Sequence, residues 1–291
     1  MNLLSWNCRG VTASSTMAEL RNICKFNKPS VVFLMETRAK EGRINTIRRK
    51  LCFDKSFCVE LWGLFGGLCI LWKSNVNINI LSWCDNFITA KIGINNGESW
   101  KCIFVYGNPI FRKRKNLWRN LTANNWDQEA AQIYIGDFNE VLTQEENVGL
   151  HLKPRGQLEE FKKFLNDNRL MDLDLKGNKF TWFSNPKNGF VTRERIDRVL
   201  VNWQWREKFQ HAILEALPAI NHEECCNVIN KGWNKEITRG TAWTNIIQRM
   251  KNCKEELRKW SRTTFKRTDK EILKMKKELR KLQNSCLEEN K

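Results

Sequence analysis

The sequence has few of the residues that interrupt a packed chain, and no apolar run long enough for a membrane. Only 5 of its 291 residues are proline and 15 are glycine, which argues against a long disordered or collagen-like stretch. The longest strongly apolar run covers residues 61–72 and contains the Gly66-Gly67 pair. Such a run is too short and too broken to cross a bilayer. We therefore expect no integral membrane protein and no membrane partner.

Signals for secretion and for paired cysteines are also lacking. The N-terminal segment MNLLSWNCRG has neither the basic start nor the apolar core of a signal peptide. The 11 cysteines are irregularly spaced and include no CxxC pair, so the sequence predicts neither a zinc framework nor a redox motif. We expect reduced, mostly buried thiols in a nuclear or cytoplasmic protein that is not secreted.

Positive charge is the most informative bulk property. Lys and Arg number 50 against 32 acidic residues, which gives a net charge of +18. A chain this basic favours polyanions, and nucleic acid is the commonest of them. Residues 221–291 are more than twice as basic per residue as residues 1–220. For that tail alone, solvated helix faces are an equally good explanation.

Residues 1–217 alternate β-like runs with amphipathic stretches, which predicts an α/β (α+β) domain. The predicted strands cover residues 2–6, 31–35, 67–72, 76–82, 88–94, 101–106, 132–135, 179–183 and 196–201. The predicted helices cover residues 15–26, 42–51, 113–121 and 157–166. The connections between residues 67 and 106 are too short for helices, so part of the sheet should be antiparallel.

Beyond about residue 223 the pattern becomes helical. Two heptad-like seams are formed by Ile246, Met250, Cys253, Leu257 and Trp260, and by Ile272, Met275, Leu279, Leu282 and Cys286. The segment Thr268-Asp269-Lys270-Glu271 resembles a capping box that opens the second helix. A helical hairpin and a short coiled coil both fit this pattern. The seams are too short to predict self-association, so the oligomeric state stays open.

Polar side chains stand where predicted strands end. They are Asn7, Glu36, Asp137, Asn139 and Asp197. Strand ends are where α/β proteins place ligand groups, because rigid elements hold them and loops leave them accessible. Carboxylates held in this way suit a hard cation such as Mg²⁺. Each residue taken singly is more often a cap or a turn former, so the prediction depends on the whole set.

Six collinear motifs carry a resemblance to a known family. They are SWNCRG, VVFLMETR, VYGNP, IGDFNEVL, KFTW and RERIDRVLVN. In this order the chain resembles the endonuclease/exonuclease/phosphatase superfamily over about residues 1–218. More narrowly, it is similar to the apurinic-type endonuclease domain at the N-terminus of plant non-LTR (LINE-type) retrotransposon polyproteins. The resemblance implies a four-layer sandwich of two mixed β-sheets flanked by helices, followed by a basic helical connector over residues 222–291.

The resemblance also implies a metal site and a partner. Glu36 matches the principal metal-binding carboxylate, and Asn7 matches the amide beside it. The implied ion is Mg²⁺, with Mn²⁺ as a substitute, and the implied partner is DNA. Thr181 and Trp182 match a segment that lines the DNA cleft, and Arg195 is placed with them as a DNA-binding residue. In an intact element the domain would be joined to a reverse transcriptase.

Four residues match catalytic groups of the family. Tyr106 matches a phenol that hydrogen-bonds the scissile phosphate, and Asp137 matches the acid that orients or deprotonates the attacking water. Asn139 matches an amide donor to a phosphate oxygen. Asp197 matches the carboxylate that orients a catalytic histidine. These roles fit the chemistry, because phosphodiester hydrolysis builds charge that a metal and fixed donors stabilise while a base activates water.

One departure from the family pattern concerns that histidine. The family ends this domain with a Ser-Asp-His block and an apolar strand, whereas here HAILEALPAI is followed by NHEECCNVINKGWNKE. An internal deletion near residues 218–222 is the simplest explanation. Of the three histidines, 151, 211 and 222, only His222 stands near the expected distance, and a helix-start position explains it better than catalysis. We therefore expect a degenerate copy with impaired activity and marginal stability.

Three functions remain open at this stage. The first is a Mg²⁺-dependent DNA endonuclease of retroelement origin. The second is a catalytically dead remnant that binds nucleic acid, which salt-dependent binding without cleavage would identify. The third and weakest is a relative that cleaves another phosphodiester or a phosphomonoester, such as a phosphoinositide.

Overall fold

The chain divides into two compact units. In the computed structural model the described residues are 1–59, 66–93, 98–123, 125, 127, 129–184, 191–217, 222–236 and 243–260. The first unit covers Met1–Leu217 and the second covers Pro218–Lys291. None of the described helices is both long and apolar enough to cross a membrane.

The first unit contains two large mixed sheets and the helices that cover them. Its strands are β1 (Leu3–Asn7), β2 (Val31–Met35), β3 (Lys55–Val59), β4 (Leu68–Trp72), β5 (Asn77–Cys84), β6 (Phe87–Gly93), β7 (Ser99–Tyr106), β8 (Gln132–Asp137), β9 (Asn147–Val148), β10 (Met171–Asp172), β11 (Leu175–Lys176), β12 (Trp182–Phe183), β13 (Arg193–Glu194), β14 (Asp197–Val201) and β15 (Leu214–Glu215). Its helices are α1 (Ser14–Asn27), α2 (Glu41–Lys50), α3 (Phe111–Ala123), α4 (Arg155–Asp167) and α5 (Trp203–Lys208), with a 3₁₀ turn at Gln144–Glu146.

Both large sheets combine parallel and antiparallel pairs. One sheet has the order β1-β2-β4-β3, and the other has the order β10-β14-β8-β7-β6-β5. Strands β1 and β2 are parallel, as are β7 and β8. The remaining pairs of both sheets are antiparallel. The prediction of an antiparallel portion between residues 67 and 106 is therefore confirmed.

Three apolar cores separate four layers. Alternate residues of β2, such as Phe33, meet Phe104 of β7 in the core between the sheets. The opposite face of β2, with Leu34, packs against Leu20 and Ile47 of the outer helices α1 and α2. Helices α3 and α4 cover the other sheet, and their Trp118, Phe161 and Phe164 form an aromatic cluster with Phe138, which follows β8. The predicted four-layer sandwich of two mixed sheets flanked by helices is confirmed.

Some short elements were not predicted from sequence. Strand β3 has the mixed sequence KSFCV, so its pattern is weak, and it is fixed by pairing with β4. Helix α5 begins after Asn202, whose side chain accepts a hydrogen bond from the Trp205 amide. The strand predicted over residues 179–183 is shorter, because the Asn178 side chain accepts the Phe180 amide in a turn and only Trp182–Phe183 pairs with β13.

Strand β1 lies at the edge of its sheet. It pairs with β2 on one side, and none of the described strands pairs with its other side. The last strand of the first unit, β15, pairs instead with β11 in a separate two-stranded ribbon. An edge strand presents unpaired backbone groups, so β1 is less protected than the fully buried β2 beside it.

The second unit contains two described helices. They are α6 (His222–Trp233) and α7, over residues 243–260. They pack closely where Gly232 meets the Cys253 backbone, since a Cβ on that glycine would lie 2.6 Å from the Cys253 Cα. The first predicted seam contributes Cys253 to this contact, but Ile246 and Met250 stay 42% and 62% exposed. The second seam and its capping box lie outside the described residues.

Candidate active site

Polar residues from distant parts of the chain meet at one edge of the two sheets. Asn7 ends β1 beside Met35 of the parallel strand β2, and Glu36 follows directly. Tyr106 ends β7 beside Asp137, which ends the parallel strand β8. Because parallel neighbours end at the same edge of a sheet, each pair is brought together by its strand register. The structure thus assembles the polar set that the sequence placed at strand ends.

Glu36 accepts hydrogen bonds from three side chains. Its Oε1 accepts from Asn7 Nδ2 at 2.9 Å and from the Tyr106 hydroxyl at 3.0 Å. Its Oε2 accepts from the Arg38 guanidinium at 2.8 Å. Burial raises the pKa of Glu36, but the hydrogen bonds from Asn7, Tyr106 and Arg38 outweigh it and the net shift is downward. Glu36 is therefore ionised at neutral pH.

Asp137 lies at the centre of the cluster. Its Oδ2 accepts from Asn7 Nδ2 at 3.1 Å, and its Oδ1 accepts from the Asn139 backbone N–H at 2.9 Å. Asp197, the first residue of β14, stands directly opposite Asp137 in the antiparallel pair. Burial and the nearby Asp197 raise the pKa of Asp137 to about 8, and burial raises the pKa of Asp197 to about 6.

The Tyr106 hydroxyl is held as a donor. Burial, together with the adjacent Glu36 carboxylate, raises the pKa of Tyr106 above its ordinary value. The phenol therefore stays protonated across the physiological range. Tyr106 is itself buried, with 9% of its surface exposed, so it reaches the site through its hydroxyl alone.

The backbone at the site adopts unusual conformations. Gly136, which precedes Asp137, has φ +150°, and a Cβ there would lie 1.9 Å from the Val105 carbonyl oxygen. Only glycine allows β7 and β8 to approach this closely. Glu36 and Asn139 have φ of 50° and 51°, a region that non-glycine residues rarely adopt and that concentrates at functional sites.

A buried ion pair holds the loop after β7 against the site. Arg114 donates to Glu140 Oε2 at 2.8 Å, and their side chains are only 4% and 0% exposed. The same guanidinium donates to the backbone oxygens of Asn108 and Pro109. Asn139 Nδ2 donates to the Gly107 carbonyl at 2.7 Å. Residues in and directly after the GDFN motif therefore determine the position of this loop.

An open cleft of about 420 Å³ lies over the cluster. It is lined by Asn7, Arg9, Glu36, Pro109, Phe111, Arg114, Asp137, Asn139, Lys153, Gln157, Trp182, Glu194 and Ile196. Five of the predicted site residues are thus on its wall: Asn7, Glu36, Asp137, Asn139 and Trp182. Tyr106 and Asp197 are not among its lining residues.

Two predicted DNA-contacting residues have other partners in the structure. Thr181 Oγ1 accepts the backbone N–H groups of Ile196 and Asp197 at 3.1 and 3.0 Å, which orients the start of β14. Arg195 forms ion pairs with Glu146 at 3.3 Å and Asp172 at 3.0 Å. Its side chain is 14% exposed and is absent from the lining of the described cleft. Neither residue is among those that line the cleft, and their contact with DNA stays a prediction.

Several residues of the site were not singled out from sequence. Arg9 and Arg38 belong to the SWNCRG and VVFLMETR motifs, so their place in these motifs could have identified them as site residues. Arg38 forms an ion pair with Glu36. Burial raises the pKa of Asp197, whereas the hydrogen bond with Thr181 and the positive charge of Arg9 lower it. Lys153 and Phe111 come from a loop and a helix start with no distinctive pattern. Only the fold brings them to the cleft.

The donor set suits a divalent metal ion with few protein ligands. Glu36 and Asp137 supply carboxylate oxygens, and Asn7 links them. This agrees with Mg²⁺, which keeps several waters and uses one or two carboxylates. Within the described residues, no group of three or more His, Cys, Asp or Glu side chains is arranged to enclose a metal. No described histidine side chain lines the cleft. His222 begins α6, and its side chain lies outside the described set.

Fold and cleft together define a four-layer α/β protein with an acidic and amide-rich site at the edge of its paired sheets. The family model described as "Endonuclease/Exonuclease/phosphatase family" matches residues 4–216. The chain therefore belongs to that family, whose members are nucleases and phosphatases and generally depend on a divalent metal.

Solved structures with low sequence identity share this fold. A 3′ phosphatase, NExo, from Neisseria, bound to a product DNA hairpin, has 18% identity and a TM-score of 0.51 over 70% of this chain and 87% of that one. An AP endonuclease from Archaeoglobus fulgidus has 15% identity and a TM-score of 0.52, over 69% and 87%. The AP endonuclease LMAP from Leishmania major has 12% identity and a TM-score of 0.54, over 69% and 79%. Among curated proteins, none matches this sequence.

Proposed function

We propose that residues 1–217 form a Mg²⁺-dependent DNA endonuclease domain of retroelement origin with impaired catalysis. The observation that carries the proposal is the hydrogen-bonded cluster of Asn7, Glu36, Tyr106 and Asp137 at the wall of an open cleft. An ionised carboxylate, a protonated phenol and a second carboxylate within one hydrogen-bond network suit phosphodiester hydrolysis.

Each residue has a distinct role in this proposal. Glu36 and Asn7 would hold the metal ion, which would supply charge neutralisation at the scissile phosphate. The Asn139 side-chain amide donates a hydrogen bond to a phosphate oxygen. The single proton of the Tyr106 hydroxyl is accepted by Glu36 in the structure, and it would be donated to a second phosphate oxygen once Glu36 binds the cation. Asp137 orients the attacking water and accepts its proton, for which it must first be ionised. Binding of a cation nearby would favour that ionised form.

The impairment is attributed to the missing histidine. Asp197 stands opposite Asp137 in the register of β14 and β8, but no described histidine side chain lines the cleft. Loss of a general acid or base typically lowers a rate by about 10²–10⁴-fold. The unpaired outer edge of β1 among the described strands supports the companion proposal that a closing strand has been deleted.

The retroelement origin is supported by the motif strings and by the basic segment after residue 221. We propose that this segment is a connector that, in an intact element, leads towards a reverse transcriptase. A catalytically dead DNA-binding remnant is the second candidate. The net charge of +18 and the absence of a histidine side chain from the described lining of the cleft favour it.

Nicking of supercoiled plasmid by the purified chain separates the two candidates. With Mg²⁺ or Mn²⁺, weak nicking that is lost in Glu36→Ala and in Asp137→Ala is the result expected for an endonuclease. Glu129→Gln is the matched control, since that carboxylate is 77% exposed and does not line the described cleft. Background nicking in all variants, with salt-dependent DNA binding retained, would identify the dead remnant.

A further inference from the structure

Three apolar side chains project from a short loop beside the cleft. Val148, Leu150 and Leu152 are 48%, 61% and 78% exposed. We name residues 148–152 the rim loop. Single exposed apolar residues are common on protein surfaces, but alternate large ones on one loop mark a contact surface.

The rim loop is fixed next to the cleft at both of its ends. Val148 belongs to β9, which pairs with β13, and β13 contains the lining residue Glu194. At the other end Leu152 precedes Lys153, which also lines the cleft and forms a 2.9 Å ion pair with Glu194. The loop therefore starts and ends next to residues on the cleft wall.

Hydrogen bonds also order the loop internally. Asn147 Nδ2 donates to the His151 carbonyl at 3.0 Å, and the Lys153 backbone N–H donates to Gln144 Oε1 at 3.2 Å. Asn147 is itself buried. A loop tied in this way loses little conformational entropy when it binds a partner, so its exposed side chains can act as fixed wedges.

Cationic side chains flank these apolar residues. Arg193 is exposed and stands opposite Val148 in the β9–β13 pair. Lys153 and the exposed Arg155 follow Leu152 closely in the chain. Cationic side chains beside apolar ones fit a nucleic-acid duplex, in which phosphates flank a groove and an apolar wedge can contact the faces of the bases in a step that it opens. Lys153 is already paired with Glu194, but an apolar protein partner would offer no negative charge to the exposed Arg193 and Arg155.

We propose that the rim loop is a second DNA contact, in which Leu150 and Leu152 wedge against a base step while Lys153 and Arg193 bind the adjacent phosphates. This inference rests on the proposed binding of DNA in the cleft. Apolar wedges of this kind partly unstack the base step and bend the duplex. The rim loop would then select DNA that is easy to deform, such as flexible pyrimidine–purine steps.

The test measures base unstacking and DNA binding as two separate signals. A duplex carrying 2-aminopurine is titrated with protein in EDTA, so that no cleavage occurs, and its fluorescence and anisotropy are recorded at several salt concentrations. The wild-type chain should raise 2-aminopurine fluorescence. Leu150→Ser/Leu152→Ser should abolish the rise and weaken binding by about tenfold at every salt concentration, with an unchanged salt slope.

Matched variants make the result specific. Lys153→Gln should reduce the salt slope by about one while the fluorescence rise persists. Leu81→Ser removes a leucine that is 49% exposed on β5, at the far edge of the six-stranded sheet, and should change neither signal. Normal binding and fluorescence in the double serine variant would overturn the rim-loop proposal alone. Absence of DNA binding by the wild-type chain would overturn the proposed function and this inference together.

Discussion

Asp137 and Asp197 face each other directly across the antiparallel strands β8 and β14. Burial raises the pKa of both carboxyl groups, and the proximity of Asp197 raises that of Asp137 further, to about 8. Two carboxylates this close, of which Asp137 is buried and Asp197 half-buried, cannot both ionise easily. Without a cation, Asp137 therefore carries a proton at neutral pH. It must lose this proton before it can activate water in the proposed mechanism.

This pair should make the metal-free protein less stable as the pH rises. Between the ordinary aspartate pKa and about 8, the folded state holds a proton on Asp137 that the unfolded state has released. Stability then falls with increasing pH through this window, since the folded state binds more protons. Urea unfolding in EDTA at pH 5.5 and pH 8.5 should show a lower midpoint at the higher pH.

The variant Asp137→Asn isolates this effect. It removes the titrating carboxyl and the like-charge repulsion, so the midpoint should rise at pH 8.5 and depend less on pH. Contributions from the exposed carboxylates are common to both proteins and cancel in the comparison. An equal pH dependence in the two proteins would contradict the assignment.

Replacement of Arg38 should strengthen metal binding. Its guanidinium donates to Glu36 Oε2 at 2.8 Å, so it competes with a cation for that carboxylate. Because the side chain of Arg38 is 38% exposed, the effect is modest, and Arg38→Gln should increase Mn²⁺ affinity by roughly fivefold. Electron paramagnetic resonance of free Mn²⁺ measures this directly. Arg38→Lys keeps the charge and serves as control, and weaker Mn²⁺ binding by Arg38→Gln would refute the competition.

Removal of one partner of the Arg114–Glu140 pair should strongly destabilise the folded protein. Both side chains are buried, so Arg114→Ala leaves an uncompensated carboxylate inside the protein. The expected loss of unfolding free energy is about 3–5 kcal/mol. Chemical denaturation measures it, and the double variant Arg114→Met/Glu140→Gln should recover part of the loss. A cost below about 1 kcal/mol for Arg114→Ala would contradict the stabilising role of this buried pair.

Two glycine-to-alanine changes should have opposite effects. In Gly136→Ala the new methyl group collides with the Val105 carbonyl oxygen, and the backbone φ of +150° is unfavourable for alanine. This variant should lose more than about 3 kcal/mol or fail to fold. Gly156 lies in α4, and a Cβ added to it would meet nothing within 4 Å, so Gly156→Ala should stabilise the protein by about 0.5–1 kcal/mol. Thermal unfolding of the two variants tests both stability predictions.

Much of the framework was predictable because burial leaves a pattern in the sequence. The run VVFLM became β2, whose five residues are all buried. Helix α4 follows from Phe161, Phe164 and Leu165, which share one helical face. Polar residues directly after such runs, such as Glu36, were recognisable as candidate ligands because strand ends are accessible.

Other parts of the site left no local signal. Arg195 was predicted from the sequence only as a DNA contact, and its ion pairs with Glu146 and Asp172 became visible only in the structure. Lys153 pairs with Glu194 at the cleft wall, where β13 lies beside β9. A charged side chain has the same appearance in a sequence whether it faces solvent, a ligand or a buried partner. Its neighbours in space decide between these roles.

The sequence by itself determined the main strands, helices α1 to α4 and the identity of the groups at the strand ends, because these leave a pattern within a few residues. Only the tertiary structure decided their chemistry. Asn7 contacts Asp137 across 130 residues of chain, and the opposed carboxylates of Asp137 and Asp197 arise from the register of β8 and β14. The protonation of a carboxyl group depends on burial and on neighbouring charge, and both are set by how distant segments pack together.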